Sequence, residues 1–326
     1  MTASRIAVGL AALLVLTFAS TSQPAAQEVY PARPIKIMVG YAPGGAADIL
    51  ARTLAQSLES RLGQPVIVEN RPGADGSLAD RMAARSAPDG YTLLLQGTAI
   101  AINVTLLSNI GFDPVKELAP ITLIGDTAYL VASNSSVPAK TLGEFIQYAK
   151  VRKGELNYAT PSSPALLAAT LLNSMAGIEM TRVPFRGAGA AIPALLSGDV
   201  QFMISSITSL LPLVSSDRIR SLAVTGKKRA LLAPDIPTVT ESAVPGYSAT
   251  TWYGLFAPAG APRAIVERLN AMTHQALAQA TVKSKLLEQG FETTPSTPEE
   301  FSAFLKTEIA KWGNEVRSSG LQASSN

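Results

Sequence analysis

Cysteine is absent from the 326 residues of this chain. The absence excludes disulfides, thiol nucleophiles and cysteine-ligated metals. A large exported protein without disulfides fits the bacterial periplasm better than a small secreted scaffold that depends on them. The length suits two modest domains or one large one, with enough apolar residues for a real core.

Histidine is almost absent, since His274 is the single one. One imidazole excludes a multi-histidine metal site, and any Ser-His-Asp triad would have to use this residue. The sequence also contains no G-x-S-x-G elbow, no P-loop and no dinucleotide glycine spacing. It therefore predicts no catalytic residues, no metal and no cofactor. An exported α/β enzyme stays an alternative, and its only candidate catalytic residues are His274 and scattered serines.

Charged residues are few, at 16% of the chain, and the formal net charge is +3. The basic isoelectric point reflects a small excess of Lys and Arg, not a basic stripe with interleaved aromatic residues. Nucleic acid is therefore not an expected partner.

Long apolar runs are also scarce, and the one near the N-terminus has a special layout. Arg5 precedes the apolar run IAVGLAALLVLTF, which is too short to span a bilayer comfortably. Small and polar residues follow, which is typical of a secretory signal. The sequence predicts a signal peptide over residues 1–26, cleaved somewhere within 19–27, and a periplasmic mature protein. An uncleaved anchor is the alternative.

Strand and helix patterns alternate along the rest of the chain. The run PIKIMVGYA alternates apolar residues as a strand does, and leucines then recur every fourth position from 50 to 62 as in a helix. PVIVEN and YTLLLQG continue the series, and AYLVAS, LNYAT and VQFMISS repeat it later. This alternation of strand and helix patterns predicts an α/β fold with parallel strands.

Several helix starts carry capping signals. Thr141 with Glu144, and Thr297 with Glu300, have the spacing of capping boxes. Ser77 is expected to cap the helix that follows RPGADG. Ser163 is expected to be an N-cap with Pro164 in the first helical position.

The stretch GYAPGGAAD is the strongest candidate for a binding loop. Gly44 and Gly45 let the backbone turn tightly between a strand and a helix. The first amides of the helix would then face a carboxylate or phosphate at the positive end of the helix dipole. A plain turn with hydrated amides is the alternative. Asp48 has the position of a first-turn acid that interacts with the dipole.

Three later features belong to the same hypothesis. YATPSSPALL places Thr160, Ser162 and Ser163 at the carboxyl end of a strand, where open α/β sheets bind ligands. Arg186 beside a glycine turn pairs either with an anionic ligand or with a surface carboxylate. The run MISS ends a strand with Ser205 and Ser206, whose hydroxyls are candidates for the cleft. The loop RPGADGS is expected to be structural, because its acid disfavours an anion.

Five segments together resemble one known family over nearly the whole mature chain. They are PIKIMVGYAPGGAADILARTLAQSL, VPAKTLGEFIQYAK, VPFRGAGAAIPALLSGDVQFM, SLAVTGKKRALLAPDIPTVTES and WYGLFAPAGAP. The family is that of the tripartite tricarboxylate transporter receptors, the TctC-like or Bug periplasmic substrate-binding proteins.

The resemblance implies a type II periplasmic binding fold, with two α/β lobes that close on a small organic carboxylate. Lobe 1 would comprise residues 27–126 and 228–326, and lobe 2 residues 127–227. The ligand would be held by the loop after the first strand and by a second-lobe loop, through amides, hydroxyls and water. Together with the residues selected above, the expected ligand-binding set is Tyr41, Ala42, Gly44, Gly45, Ala46, Asp48, Thr160, Ser162, Ser163, Ala165, Arg186 and Ser205.

The chain also departs from the family pattern. Ala46 stands where a hydroxyl residue is common, and Ile100 where a histidine is frequent. Ser205 and Ser206 replace a frequent Asp/Asn pair. These departures predict a distal pocket less polar than usual, and a ligand with an apolar or aromatic body.

The function implied by the resemblance is that of a periplasmic receptor delivering a carboxylate to a membrane permease. A sensor of the same fold that works with a signalling partner is the alternative, and the sequence leaves it open.

Overall fold

The computed structural model describes residues 30–318. The predicted signal peptide and its cleavage region lie outside these residues. Among the residues described, no helix combines the length and the apolar character that crossing a membrane requires.

Ten strands and twelve α-helices follow one another along the described chain, and a short 3₁₀ turn at Ala74–Gly76 lies between the second strand and the second helix. The strands are β1 (Ile35–Val39), β2 (Val66–Asn70), β3 (Thr92–Gly97), β4 (Leu118–Asn134), β5 (Asn157–Thr160), β6 (Thr181–Pro184), β7 (Phe202–Ser206), β8 (Ile219–Val224), β9 (Thr250–Pro258) and β10 (Phe291–Thr293). The helices are α1 (Ala46–Leu62), α2 (Ser77–Ala84), α3 (Ala99–Leu106), α4 (Pro114–Glu117), α5 (Leu142–Lys150), α6 (Ser163–Ala176), α7 (Ala188–Ser197), α8 (Ile207–Val214), α9 (Val239–Ser242), α10 (Arg263–Ala278), α11 (Ala280–Glu288) and α12 (Pro298–Ser318).

The strands form one curled sheet in the order β2-β1-β3-β9-β4-β7-β5-β6, and β8 and β10 both pair with β4. β1 lies parallel to β2 and β3, and β5 lies parallel to β6 and β7. β4 is shared, because residues 118–128 pair with β9 and residues 129–134 pair with β7 and β8. The predicted parallel βα units are confirmed, and the antiparallel strands β9 and β4 join them.

Two lobes with separate cores result from this arrangement. In the first lobe, Ile37 and Leu50 pack on one face of the sheet, and Met38 and Phe301 pack on the other. Adjacent residues of β1 thus face opposite layers, as the strand period of two requires. In the second lobe, Phe145 and its neighbours form one layer, and two further helices, α7 and α8, contribute to the other. The fold is therefore the expected α/β, two-lobed, type II periplasmic binding fold.

Several residues after the expected lobe boundary pack in the core of the second lobe. Ala233, Val239, Val244 and Tyr247 pack in the second core, although they follow the expected boundary at residue 228. The apolar core changes within β9, whose Leu255 belongs to the first lobe. The lobe limits themselves stay a prediction, and this packing favours a return through β9.

The helix starts agree in part with their capping signals. The box of Thr297 and Glu300 is confirmed, with hydrogen bonds of 2.9 and 3.2 Å. At α5, Thr141 caps Glu144, but the Glu144 carboxylate accepts from Lys140 N at 2.6 Å. The prediction for Ser77 was wrong, because it is the first residue of α2 and its hydroxyl donates to the Ala74 carbonyl.

Candidate functional site

The loop between β1 and α1 has the turn expected from its glycines. Gly44 has a φ of 84°, and Gly45 is the N-cap of α1 in an extended conformation. No side chain caps α1, so its first amides have no acceptor of that kind. Ala46 and Ala47, the first two residues of the helix, line a cavity between the lobes.

The Asp48 side chain stabilises the conformation of this loop. Its Oδ2 accepts from Gly44 N and from Arg52 Nε, both at 3.0 Å. Burial alone would raise the pKa of Asp48, but hydrogen bonds from Arg52, Gly44 and Asn70 hold it below its ordinary value. Asp48 is therefore an ionised residue that fixes the Gly44 turn.

The second predicted loop joins β5 to α6, and its cap is shifted by one residue. Ser162, not Ser163, is the N-cap, and its Oγ accepts from Ala165 N at 3.4 Å. Ser162 has the extended backbone that an N-cap needs, whereas Ser163 already belongs to the helix. Pro164 is accordingly the second helical residue.

The cavity between the lobes has a volume of about 60 Å³ and receives five helix N-termini. The helices are α1, α3, α6, α7 and α8, each represented in the lining by its N-cap or by its first residues. Only α6 has a side-chain cap among these five. Of the residues described, none with a charged side chain lines this cavity. Helix dipoles that converge on a lining without charged side chains favour a bound anion.

Hydroxyl groups complete the lining, and the expectation of a distal pocket less polar than usual stays a prediction. Tyr129 and Tyr253 contribute phenols, and Thr251, Ser205 and Ser206 contribute aliphatic hydroxyls. Burial raises the pKa of both tyrosines well above the ordinary value, so they keep their protons and remain neutral donors.

The end of β3 supplies site residues that the sequence reasoning did not select. The Oε1 atom of Gln96 accepts from Gly97 N at 2.9 Å, and its amide nitrogen donates to Asp80 at 2.7 Å. Thr98 accepts at 2.9 Å from Trp252 N of β9. The signal was present, because QGTA stands at the carboxyl end of a buried strand, the position at which open sheets bind ligands.

The twelve predicted ligand-binding residues fall into three groups. Those that line the cavity are Tyr41, Ala42, Gly45, Ala46, Ser162 and Ser205. A neighbouring outer cavity of about 500 Å³ is lined by Thr160, Ser163 and Arg186. Gly44, Asp48 and Ala165 line neither cavity.

His274 lies outside both cavities. Its Nε2 lies 2.9 Å from the Ser296 carbonyl and 3.3 Å from Thr122 Oγ1. A carbonyl only accepts, so Nε2 carries the proton in this contact. The imidazole thus joins α10 to β4 and to the segment before α12.

Comparison with known proteins identifies close relatives over nearly the full length. BugT of Bordetella pertussis is 32% identical over 313 residues, which cover 95% of this chain and 96% of BugT. A solved structure described as an R. palustris protein with adipate is 31% identical, with a TM-score of 0.87, and covers 89% of this chain and 98% of its own. MatC from Rhodopseudomonas palustris with bound malate is 32% identical, with a TM-score of 0.82. The match covers 88% of this chain and 100% of the MatC chain.

The family profile described as "Tripartite tricarboxylate transporter family receptor" matches residues 50–321. This match begins within α1 and includes every later element that contributes to the cavity. Members of this family are periplasmic solute receptors. The chain belongs to the tripartite tricarboxylate transporter receptor family.

Proposed function

We propose that this protein binds a short aliphatic carboxylate in the cavity between its lobes and passes it unchanged to a membrane permease in the periplasm. The observation that carries the proposal is that the N-termini of α1, α3, α7 and α8, none of which has a side-chain cap, converge on a lining of neutral residues. Each N-terminus has a partial positive charge, and amides already fixed in helices need no reorganisation to hold an anion.

The polarity of the lining supports the choice of ligand class. Tyrosine, threonine and serine hydroxyls surround the position where the N-termini converge, so polar substituents of the ligand would find donors and acceptors. Two relatives, both above 30% identity, hold adipate and malate. A short carboxylate that bears a hydroxyl or a second carboxylate fits this lining better than an aromatic acid does.

A receptor without catalysis fits the composition of the cavity. Among residues 30–318, no histidine or acidic side chain lines it, so the serines there have no base beside them. His274, on which an enzymatic alternative depends, donates instead to the Ser296 carbonyl.

The proposed role of the α1 amides is tested by Ala46→Pro. Proline is tolerated at the first helical position, and Gly45 before it already has the extended backbone that proline requires. The variant therefore keeps the helix but loses one amide donor and puts a ring in its place. We expect carboxylate affinity to fall about tenfold or more, as measured by calorimetry on unfolded and refolded protein.

The matched control is Ala280→Pro, at the first position of α11. Gln279 before it is also extended, and Ala280 lines neither the cavity nor its outer neighbour. This variant should bind like the wild type, and equal losses in both variants would contradict the site. Succinate and succinamide provide a chemical control, because the neutral amide should bind at least about tenfold more weakly. A ligand-dependent pull-down of a sensor kinase, in place of permease subunits, would contradict the transport role.

A further inference from the structure

Asp75 connects the two lobes through its carboxylate. It lies in the loop between β2 and α2 of the first lobe, and its Oδ2 accepts from Ser163 N of the second lobe at 2.7 Å. Ser163 is the first residue of α6, so the carboxylate meets the positive end of this helix. The loop that was expected to be purely structural thus provides an acid that crosses the cleft.

The Asp75 carboxylate and backbone are held in place by two side chains of the first lobe. Tyr41 Oη lies 3.3 Å from Oδ1, and Asn103 Nδ2 donates to the Asp75 carbonyl at 3.0 Å. The backbone is left-handed at two successive residues with a Cβ, with φ of 46° at Ala74 and 50° at Asp75. Such conformations persist where the surrounding structure imposes them, and they concentrate at functional positions.

The first turn of α6 has no amide left for a ligand. Ser163 N donates to Asp75, Pro164 has no N–H, and Ala165 N donates to Ser162 Oγ. The N-termini of α1, α3, α7 and α8, in contrast, have no side-chain cap. Asp75 occupies at α6 the position that an external carboxylate would take.

We propose that Asp75 is a built-in carboxylate that binds the N-terminus of α6 across the cleft and so holds the lobes closed without any ligand. It acts beside a small apolar cluster in which Leu106 of α3 meets Leu166 of α6. The cluster contributes apolar contact, whereas Asp75 contributes a directional, charge-assisted hydrogen bond. This inference concerns the closure of the protein itself and does not rest on the proposed ligand.

The test compares two glycine variants of the same loop. Asp75→Gly removes the carboxylate, and glycine adopts the left-handed backbone of this position without strain. Ala74→Gly relieves the same kind of backbone strain at the neighbouring residue and leaves the Asp75 carboxylate in place. Because the chain has no cysteine, nitroxide labels can be placed at Ile67→Cys and Val151→Cys, which are 54% and 76% exposed on different lobes. Double electron–electron resonance then measures the distance between the two labels, and so between the lobes, in refolded protein free of ligand.

We expect Ala74→Gly to give the wild-type distance distribution. Asp75→Gly should increase the population at longer distance about tenfold, because one charge-assisted hydrogen bond of the closed state is lost. Asp75→Asn keeps an acceptor without the charge, and should lie between the two. Circular dichroism checks that each variant folds. Identical distributions for the two glycine variants would overturn the proposal, and they would leave the carboxylate-binding test unaffected because no ligand is added here.

Discussion

Asp80 is a fully buried carboxyl group directly behind the cavity. Gln96 of the lining donates to its Oδ1 at 2.7 Å, so Asp80 orients this amide. Burial raises the pKa of Asp80 to about 8, and the nearby charge of Asp75 adds to the rise, while Gln96 and Arg81 act against it. At neutral pH the Asp80 carboxyl group therefore holds its proton, so it places no negative charge behind the cavity.

This shift makes a prediction about pH. Because the pKa in the folded protein lies above the ordinary value of 3.8, Asp80 contributes stability that is complete below about pH 4 and is lost as the pH rises to about 8. Between pH 5 and 8 we expect the free energy of unfolding to fall by roughly 4 kcal/mol. In Asp80→Asn, which keeps the acceptor for Gln96, the fall should be smaller.

Urea unfolding at four pH values from 5 to 8 measures this difference. Part of the dependence should survive in Asp80→Asn, because burial also raises the pKa of Asp75, to about 6. Parallel pH curves for wild type and variant would mean that Asp80 titrates as an ordinary carboxyl.

At the scale of single elements, the sequence predicted much of what positions the site. The alternation in β1, the leucine period of α1 and the glycines between them are local signals, so this strand, turn and helix were predictable. The chain position of Asp75 was visible, but its partner was not, because Ser163 lies 88 residues away and only the tertiary fold brings them together. The same holds for the packing of Val239 and Tyr247 in the second core, since their local pattern does not specify a lobe.

The contact between β9 and α12 provides the prediction at this scale. A Cβ added to Gly254 would lie 2.1 Å from Phe301 Cζ, and Phe301 is itself enclosed by Trp252, Phe256 and Phe304. Gly254→Ala should therefore displace α12 and destabilise the protein by about 3 kcal/mol. Gly143→Ala, inside α5 with no close neighbour, should instead stabilise by up to about 1 kcal/mol. Urea midpoints that move in the same direction for both variants would contradict this packing argument.

At the scale of the whole molecule, β4 and β9 connect two lobes that meet around the cavity. The lobes touch on the side of the cleft away from these strands, since Gly187 of the second lobe lies against Ala42 of the first. Both residues line the cavity, and we expect a ligand to enter and leave where this contact separates. On this expectation, opening of the lobes and ligand exchange are coupled.

A cross-link at this contact tests the coupling. A Cβ built on Gly187 lies 3.9 Å from Ala42 Cβ, within the range of disulfides, and the chain has no other cysteine to interfere. Protein with Ala42→Cys and Gly187→Cys, loaded with ligand and then oxidised, should retain the ligand through dialysis and release it on reduction. Gly187 has a φ of 108°, so the reduced form should be less stable by about 1–3 kcal/mol. The single variant Gly187→Cys has this strain without the bridge and should release ligand under both conditions. If the oxidised double variant lost its ligand as fast as the reduced one, exchange would proceed without separation of the lobes.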